Sequence, residues 1–177
     1  DCGNGLVLGG SDVIIKNVVF KNANIDSFSV NCEVINCTFS DCSFEGEHSA
    51  IDAHGGLNVD SCNFINCHFE KGSAICLGGD CGVSNSNFLN CSSEYGSGAA
   101  VYIYYGSDCD IVNCSFERCS AWNGGAICDD FASSSEVIGC DFRNCSGENC
   151  GGAIYSYSLF SIDSCSFIDC FGRYDES

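Results

Sequence analysis

A block reading Cys-x-Phe-x-Asn/Asp-Cys recurs along the chain and constrains its fold more than any other feature. It stands at 37–42, 62–67, 140–145 and 165–170, and the copy at 114–119 departs from it only at Arg118. Weaker copies lie at 86–91 and 18–23, and successive phenylalanines are 19, 25, 24, 28, 26 and 25 residues apart. A second block, Gly-x-Ala-Ile/Val, begins at Gly72, Gly98, Gly124 and Gly151, with a degenerate copy at Ser49-Ala-Ile-Asp52. Between this block and the next Phe lie short apolar stretches such as Val13-Ile-Ile15, Ile111-Val112 and Val137-Ile138.

Each unit of about 25 residues thus holds three short apolar or alternating segments separated by Gly, Ser, Asn and Asp. That pattern predicts an all-β fold, a parallel β-helix with three strands to the coil. No window carries the i, i+3, i+4 apolar spacing of an amphipathic helix. Gly and Asn also recur too often for helix interiors. About seven coils fill residues 1–177 as a single domain, a stack roughly 34 Å long at about 4.8 Å per strand.

In such a stack a repeat position becomes a column. The Phe column (Phe20, Phe39, Phe64, Phe88, Phe116, Phe142, Phe167) is expected to point inward and stack. Two residues later, Asn22, Asp41, Asn66, Asn90, Arg118, Asn144 and Asp169 mark a corner, because Asn and Asp tolerate left-handed backbone. The glycines ahead of Ala-Ile serve another corner where side chains would collide.

The 18 cysteines fall into columns as well. One column runs Cys42, Cys67, Cys91, Cys119, Cys145, Cys170; a second runs Cys37, Cys62, Cys114, Cys140, Cys165; Cys32, Cys81 and Cys109 form a third. Equivalent Cα atoms one coil apart sit about 4.8 Å from each other, inside the usual disulfide range. Cys42–Cys67, Cys91–Cys119, Cys145–Cys170 and Cys81–Cys109 are candidate disulfides on that spacing. Pairing within one block, and reduced thiols that simply fill space, are the alternatives. Cysteine at this density in a short chain points to an oxidising, extracellular setting. Opening at Asp1 without a basic-then-apolar leader, the chain reads as a processed segment whose signal is already removed.

The Gly-Gly-Ala-Ile blocks at 124–127 and 151–154, with the Phe-x-Asn blocks, resemble the repeats of polymorphic outer membrane protein-type adhesins and of Cys-rich adhesin-like surface proteins. The resemblance covers essentially the whole chain. It implies a right-handed parallel β-helix, a surface or extracellular location, and a role in adhesion or in a structural surface layer.

Charge narrows the partners. With 24 acidic and 6 basic side chains, the formal net charge of −18 repels phosphate, so nucleic acid is excluded as a partner. No apolar run approaches the length that spans a membrane, so insertion is not expected. Carbohydrate-cleaving chemistry needs convergent carboxylates. Asp108 with Asp110, or Asp129 with Asp130, could supply them, but the few basic residues are scattered and the regular repeat leaves no long insertion to build a cleft. The expectation is therefore a non-enzyme without catalytic or metal-binding residues, Asp129-Asp130 being a solvated pair and any Ca²⁺ weakly held between stacked carboxylates. His48, His54 and His68 lie in neighbouring units and are expected on the surface.

After each Ala-Ile/Val, alternation sends Tyr102, Tyr104, Tyr155 and Tyr157 outward, with Tyr105 and Trp122 on nearby turns, a face suited to glycans, to host or matrix proteins, or to a neighbouring copy. Sequons at Asn36, Asn90, Asn113 and Asn144 permit N-glycosylation, Asn36 and Asn113 being the more accessible expectations. A β-helix also has strand edges at its two ends, and no capping helix is evident here. The leading expectation is an extracellular structural protein that self-associates head to tail into a filament or surface layer; a monomeric adhesin segment using the Tyr face is the rival.

Overall fold

The structure is a computed structural model that describes residues 5–29, 31–104, 107–130, 134–158 and 160–173. Among these, every regular element is a strand, every strand pairing is parallel, and four sheets wind around one core. The first sheet stacks Leu6–Leu8, Ile25–Ser27, Ile51–Ala53, Ile75–Leu77, Val101–Ile103, Ile127–Asp129 and Ile154–Ser156. The second runs from Asp12–Lys16 to Phe160–Asp163, and the third, which carries the phenylalanines, from Val19–Lys21 to Ser166–Ile168.

The fourth sheet corrects the expectation of three strands per coil. Its six strands, from Ser43–Phe44 to Phe171–Gly172, follow the third-sheet strands from Thr38–Ser40 onward after one corner, Asn/Asp-Cys in all but the Arg118-Cys119 copy. Several are only two residues long and Ser-rich, such as Ser92–Ser93, so they carry too little apolar alternation to read as strands in isolation.

The third sheet is in register along its length: Phe20 pairs Phe39, and Phe64 pairs both Phe39 and Phe88; the fourth shifts register once, between Ala121 and Asn123. The rings stack with centroids 4.6–4.9 Å apart and planes within 7°. Five of them, Phe39, Phe64, Phe88, Phe116 and Phe142, are fully buried and form the spine of the core. Ile25, Ile51, Ile75, Val101 and Ile127 line it from the first sheet.

The corners are as the column pattern requires. Asn22, Asp41, Asn66, Asn90, Arg118, Asn144 and Asp169 all have φ between +47° and +54°. A second left-handed column lies three residues before each Phe: Asn17, Asn36, Ser61, Asn85, Asn113, Gly139 and Ser164. Amide ladders tie these corners from coil to coil, with Asn36 Nδ2 donating to Asn17 Oδ1 at 2.7 Å and Asn90 Nδ2 to Asn66 Oδ1 at 3.0 Å. Gly124 shows why the Ala-Ile block opens on glycine: φ is +56° and a Cβ would lie 2.0 Å from the Ile127 carbonyl oxygen.

None of the candidate disulfides is formed in this structure; the described cysteines are all free thiols. Their sulfurs act as hydrogen-bonding groups instead. In the column before Phe, Cys62 Sγ accepts from the Cys37 amide at 3.4 Å and donates to the Val34 carbonyl at 3.4 Å, and Cys140 repeats this with Cys114 and Ile111. Ser86 takes the same place, accepting from the Cys62 amide at 3.0 Å. These thiols satisfy corner amides that would otherwise be buried without partners. Burial pushes the Cys62 thiol up to about 11, so it stays protonated at neutral pH.

Candidate functional site

From the second coil onward, after Val7, the outward column of the first sheet reads Asp26, Asp52, Cys76, Tyr102, Cys128, Tyr155, one residue per coil. Alternation puts it outside because Ile51 and Ala53, on either side of Asp52, point into the core. Over the first four members lies a groove of about 920 Å³. The turns that lead into and out of the sheet wall it with Glu47, His48, His54, Lys71 and Tyr95.

Both ends of the groove are aromatic. At one, the His54 ring stacks on Phe28 with centroids 4.4 Å apart and planes 6° from parallel, while its Nε2 lies 3.4 Å from Asp26 Oδ1. At the other, Tyr102 and Tyr104 meet edge to face at 5.5 Å, and the Tyr102 hydroxyl donates to Asp130 Oδ2 at 2.9 Å. Burial, then that carboxylate, holds the Tyr102 phenol well above its ordinary value, so it remains a hydroxyl. Three strand spacings, about 14 Å, separate the two ends, the length of a short oligosaccharide.

The floor is acidic. Asp52 stacks on Asp26 in register, and its Oδ2 accepts from the Ser49 amide at 3.3 Å. Burial raises the Asp52 pKa, and the neighbouring Asp26 charge adds to the rise. Burial also drives the Cys76 thiol beside it up to about 12, with the Asp52 charge adding to the rise.

The expected tyrosine face is divided. Tyr104 and Tyr157 are exposed and Tyr102 and Tyr155 half-buried. Tyr155 and Tyr157 form a second edge-to-face pair at 4.8 Å, two coils beyond Tyr102 on the same column. The hydrogen bond that its hydroxyl makes to Tyr157, then burial, pushes the Tyr155 phenol up to about 12. Tyr105 lies outside the described residues. Trp122 belongs elsewhere, to a groove of about 990 Å³ over the fourth sheet lined also by Glu45, Glu70, Glu94 and His68.

The three histidines do not meet. His48 and His54 line the first-sheet groove, whereas His68 bonds Ser92 Oγ at 2.7 Å on the fourth sheet. Among the described residues no three His, Cys, Asp or Glu side chains gather in a metal-holding group. Asp108 sits away from the groove, accepting from the Ser134 amide at 2.7 Å.

Asp129 corrects the expectation of a solvated pair. It occupies the inward column with Ala53, Leu77 and Ile103, is fully buried, and accepts hydrogen bonds from Ser156 Oγ at 2.7 Å and from Ser158 Oγ. Asp130, next to it, faces Tyr102. At the sequons, Asn36, Asn113 and Asn144 are exposed and Asn90 is half-buried, so Asn144 is more open than its corner column implied.

Sequence reasoning missed Asp26, Asp52 and Glu47 as groove residues. The available signal was the degenerate Ser49-Ala-Ile-Asp52 copy, which places Asp52 at the position that Tyr102 and Tyr155 occupy in fuller copies.

The family model described as right-handed β-helix region matches residues 50–173, about seven tenths of the chain. The chain belongs to the right-handed β-helix family. That membership fixes the hand of the coil and covers every strand from Ile51–Ala53 onward. No match was found among curated proteins or among solved structures. Right-handed β-helix proteins include sugar-cleaving enzymes and non-enzymes alike, so the family match carries the fold and the site's chemistry must carry the function.

Proposed function

We propose that this right-handed β-helix is an extracellular, non-catalytic adhesion module that binds glycans along the outer groove of its first sheet. The carrying observation is the groove itself: the His54 ring, backed by Phe28, at one end and the Tyr102–Tyr104 pair at the other, with Asp26 and Asp52 on the floor between them. Aromatic faces stack on the apolar faces of sugar rings, and carboxylates accept hydrogen bonds from vicinal hydroxyls. The rigid strand spacing presents these groups without an ordering cost on binding. The non-catalytic part of this reading rests on Asp52, whose carboxylate is held by the Ser49 amide. The adhesin-like repeat pattern agrees with it.

A glycan array probed with the folded chain tests the proposal. Binding to a set of neutral or amino-sugar oligosaccharides, lost when Tyr102→Ala and Tyr104→Ala are combined, is expected. No binding to any glycan, or binding untouched by the double substitution, contradicts it.

Head-to-tail stacking of copies is a second reading, supported by core positions open to solvent in the outermost described coils. Inward-facing Leu6 at one end, and Ile162 and Phe167 at the other, are 42, 48 and 47% exposed. A second copy docking there would extend the sheets and cover them. Sedimentation velocity of the purified chain distinguishes the outcomes: a concentration-dependent series of oligomers supports stacking, and a single monomeric boundary at all concentrations overturns it.

A further inference from the structure

The column three residues after each Phe holds one thiol per coil from Cys42 to Cys170 without interruption. Cys42, Cys67, Cys91, Cys119 and Cys145 are completely buried, and Cys170 is partly exposed in the outermost described coil. Successive members sit on directly hydrogen-bonded turns: the amide that follows each cysteine donates to the carbonyl of the cysteine one coil before, His68 to Cys42 at 2.7 Å, Ser92 to Cys67 at 2.8 Å, Ser120 to Cys91 at 3.0 Å, Ser146 to Cys119 at 2.9 Å and Phe171 to Cys145 at 3.1 Å. The sulfurs from Cys42 to Cys145 also donate to carbonyls of the preceding coil, as Cys67 does to Phe39 and Cys145 to Phe116. Adjacent strands hold equivalent Cα atoms about 4.8 Å apart, within the span a disulfide bridges.

We infer that this column is a disulfide-forming lock whose connectivity is set by where the column starts. The coil before Cys42 places Ala23 at the equivalent position, so Cys42 has a single thiol neighbour, Cys67. Once those two are joined, Cys91 is left with Cys119, and Cys145 with Cys170. The oxidised column is therefore Cys42–Cys67, Cys91–Cys119 and Cys145–Cys170, three clasps that each bind one coil to the next. The intervening pairs, Cys67 with Cys91 and Cys119 with Cys145, stay non-covalent.

The oxidant is a small-molecule disulfide such as oxidised glutathione. One cysteine thiolate attacks it and releases a glutathione thiolate, giving a mixed disulfide. The neighbouring thiolate then displaces the second glutathione. Two electrons leave the cysteine pair and reduce one glutathione disulfide to two thiols, which take up the two protons released. Because the interior thiols are sealed from solvent, the exchange runs while coils dock during folding.

The full chain, denatured, reduced and refolded in a mixture of reduced and oxidised glutathione, tests this by alkylation and non-reducing peptide mapping. The three named cross-links are expected. A prevalent Cys67–Cys91 or Cys119–Cys145 link, or alkylation of all six thiols, overturns the inference. The Cys67→Ser variant supplies the second arm, a change that follows the natural precedent of Ser86, which already stands in for Cys in the neighbouring column. It should free one additional thiol, at Cys42, and leave the other two clasps in place. Re-pairing of the remaining cysteines in that variant overturns the start-point rule, and if the variant fails to fold, the map of the unaltered chain decides alone.

Discussion

Asp129 accepts a 2.7 Å hydrogen bond from Ser156 Oγ, directly across from it in the next coil, with its carboxylate fully buried in the core. A buried carboxyl group needs hydrogen-bond partners to offset its lost hydration, and the hydroxyls of Ser156 and Ser158 supply them. Asp129→Ala removes the acceptor that both hydroxyls use and is expected to cost about 1–3 kcal/mol, the range for buried groups that lose a partner. Urea unfolding checks this. A midpoint within error of the unaltered chain would show that the carboxylate contributes nothing.

Phe64 stacks between Phe39 and Phe88 at 4.8 Å on both sides. Truncating it removes a fully buried ring and breaks the stack in the middle. Phe64→Ala should cost about 3–5 kcal/mol. The same change at Phe167, which is 47% exposed, should cost much less. Thermal melts of the two variants side by side measure the contrast.

Arg118 is the one member of its corner column that is neither Asn nor Asp, yet its φ is +54°. Left-handed backbone costs an ordinary side chain roughly 1 kcal/mol more than it costs Asn or Gly. The exposed contact to Glu117 at 3.0 Å offsets little of that. Arg118→Asn should therefore raise stability by about 0.5–1 kcal/mol, read as a higher denaturation midpoint.

Asp52 makes the groove sensitive to pH. Burial raises its folded-state pKa above the ordinary 3.8, so the native state binds the proton more tightly than the unfolded chain. Its contribution is most favourable below 3.8 and is lost as pH rises from there through the raised value. Asp52→Asn removes this component. The variant's stability should gain on the parent's as pH rises across that window, and parallel pH curves would contradict the assignment.

The solenoid was legible because each coil repeats its corners: Phe at one position, Asn or Asp two residues on, Cys after that. Parallel in-register stacking turns such a repeat into a column, so Phe39, Phe64 and Phe88 could be placed without knowing any contact. The fourth sheet was not legible, since Ser92–Ser93 is a strand only because His68–Phe69 beside it offers an edge. Asp129 shows the same limit from the other side. Asp-Asp reads as solvated, and only the register with Ser156 reveals that Asp129 points inward. The groove was half legible: alternation exposed the tyrosines, but Asp26 and Asp52 join them only because four successive coils bring distant, degenerate repeats onto one face.

Calorimetric titration of the groove with the strongest-binding oligosaccharide from the array tests the central claim most directly. Asp26→Asn and Tyr104→Ala should each weaken binding about tenfold, a loss of about 1.4 kcal/mol, while Trp122→Ala, on the fourth-sheet groove, should leave it unchanged. Equal affinities in all four proteins, or loss only in the Trp122 variant, would place the glycan site away from the first sheet and contradict the account.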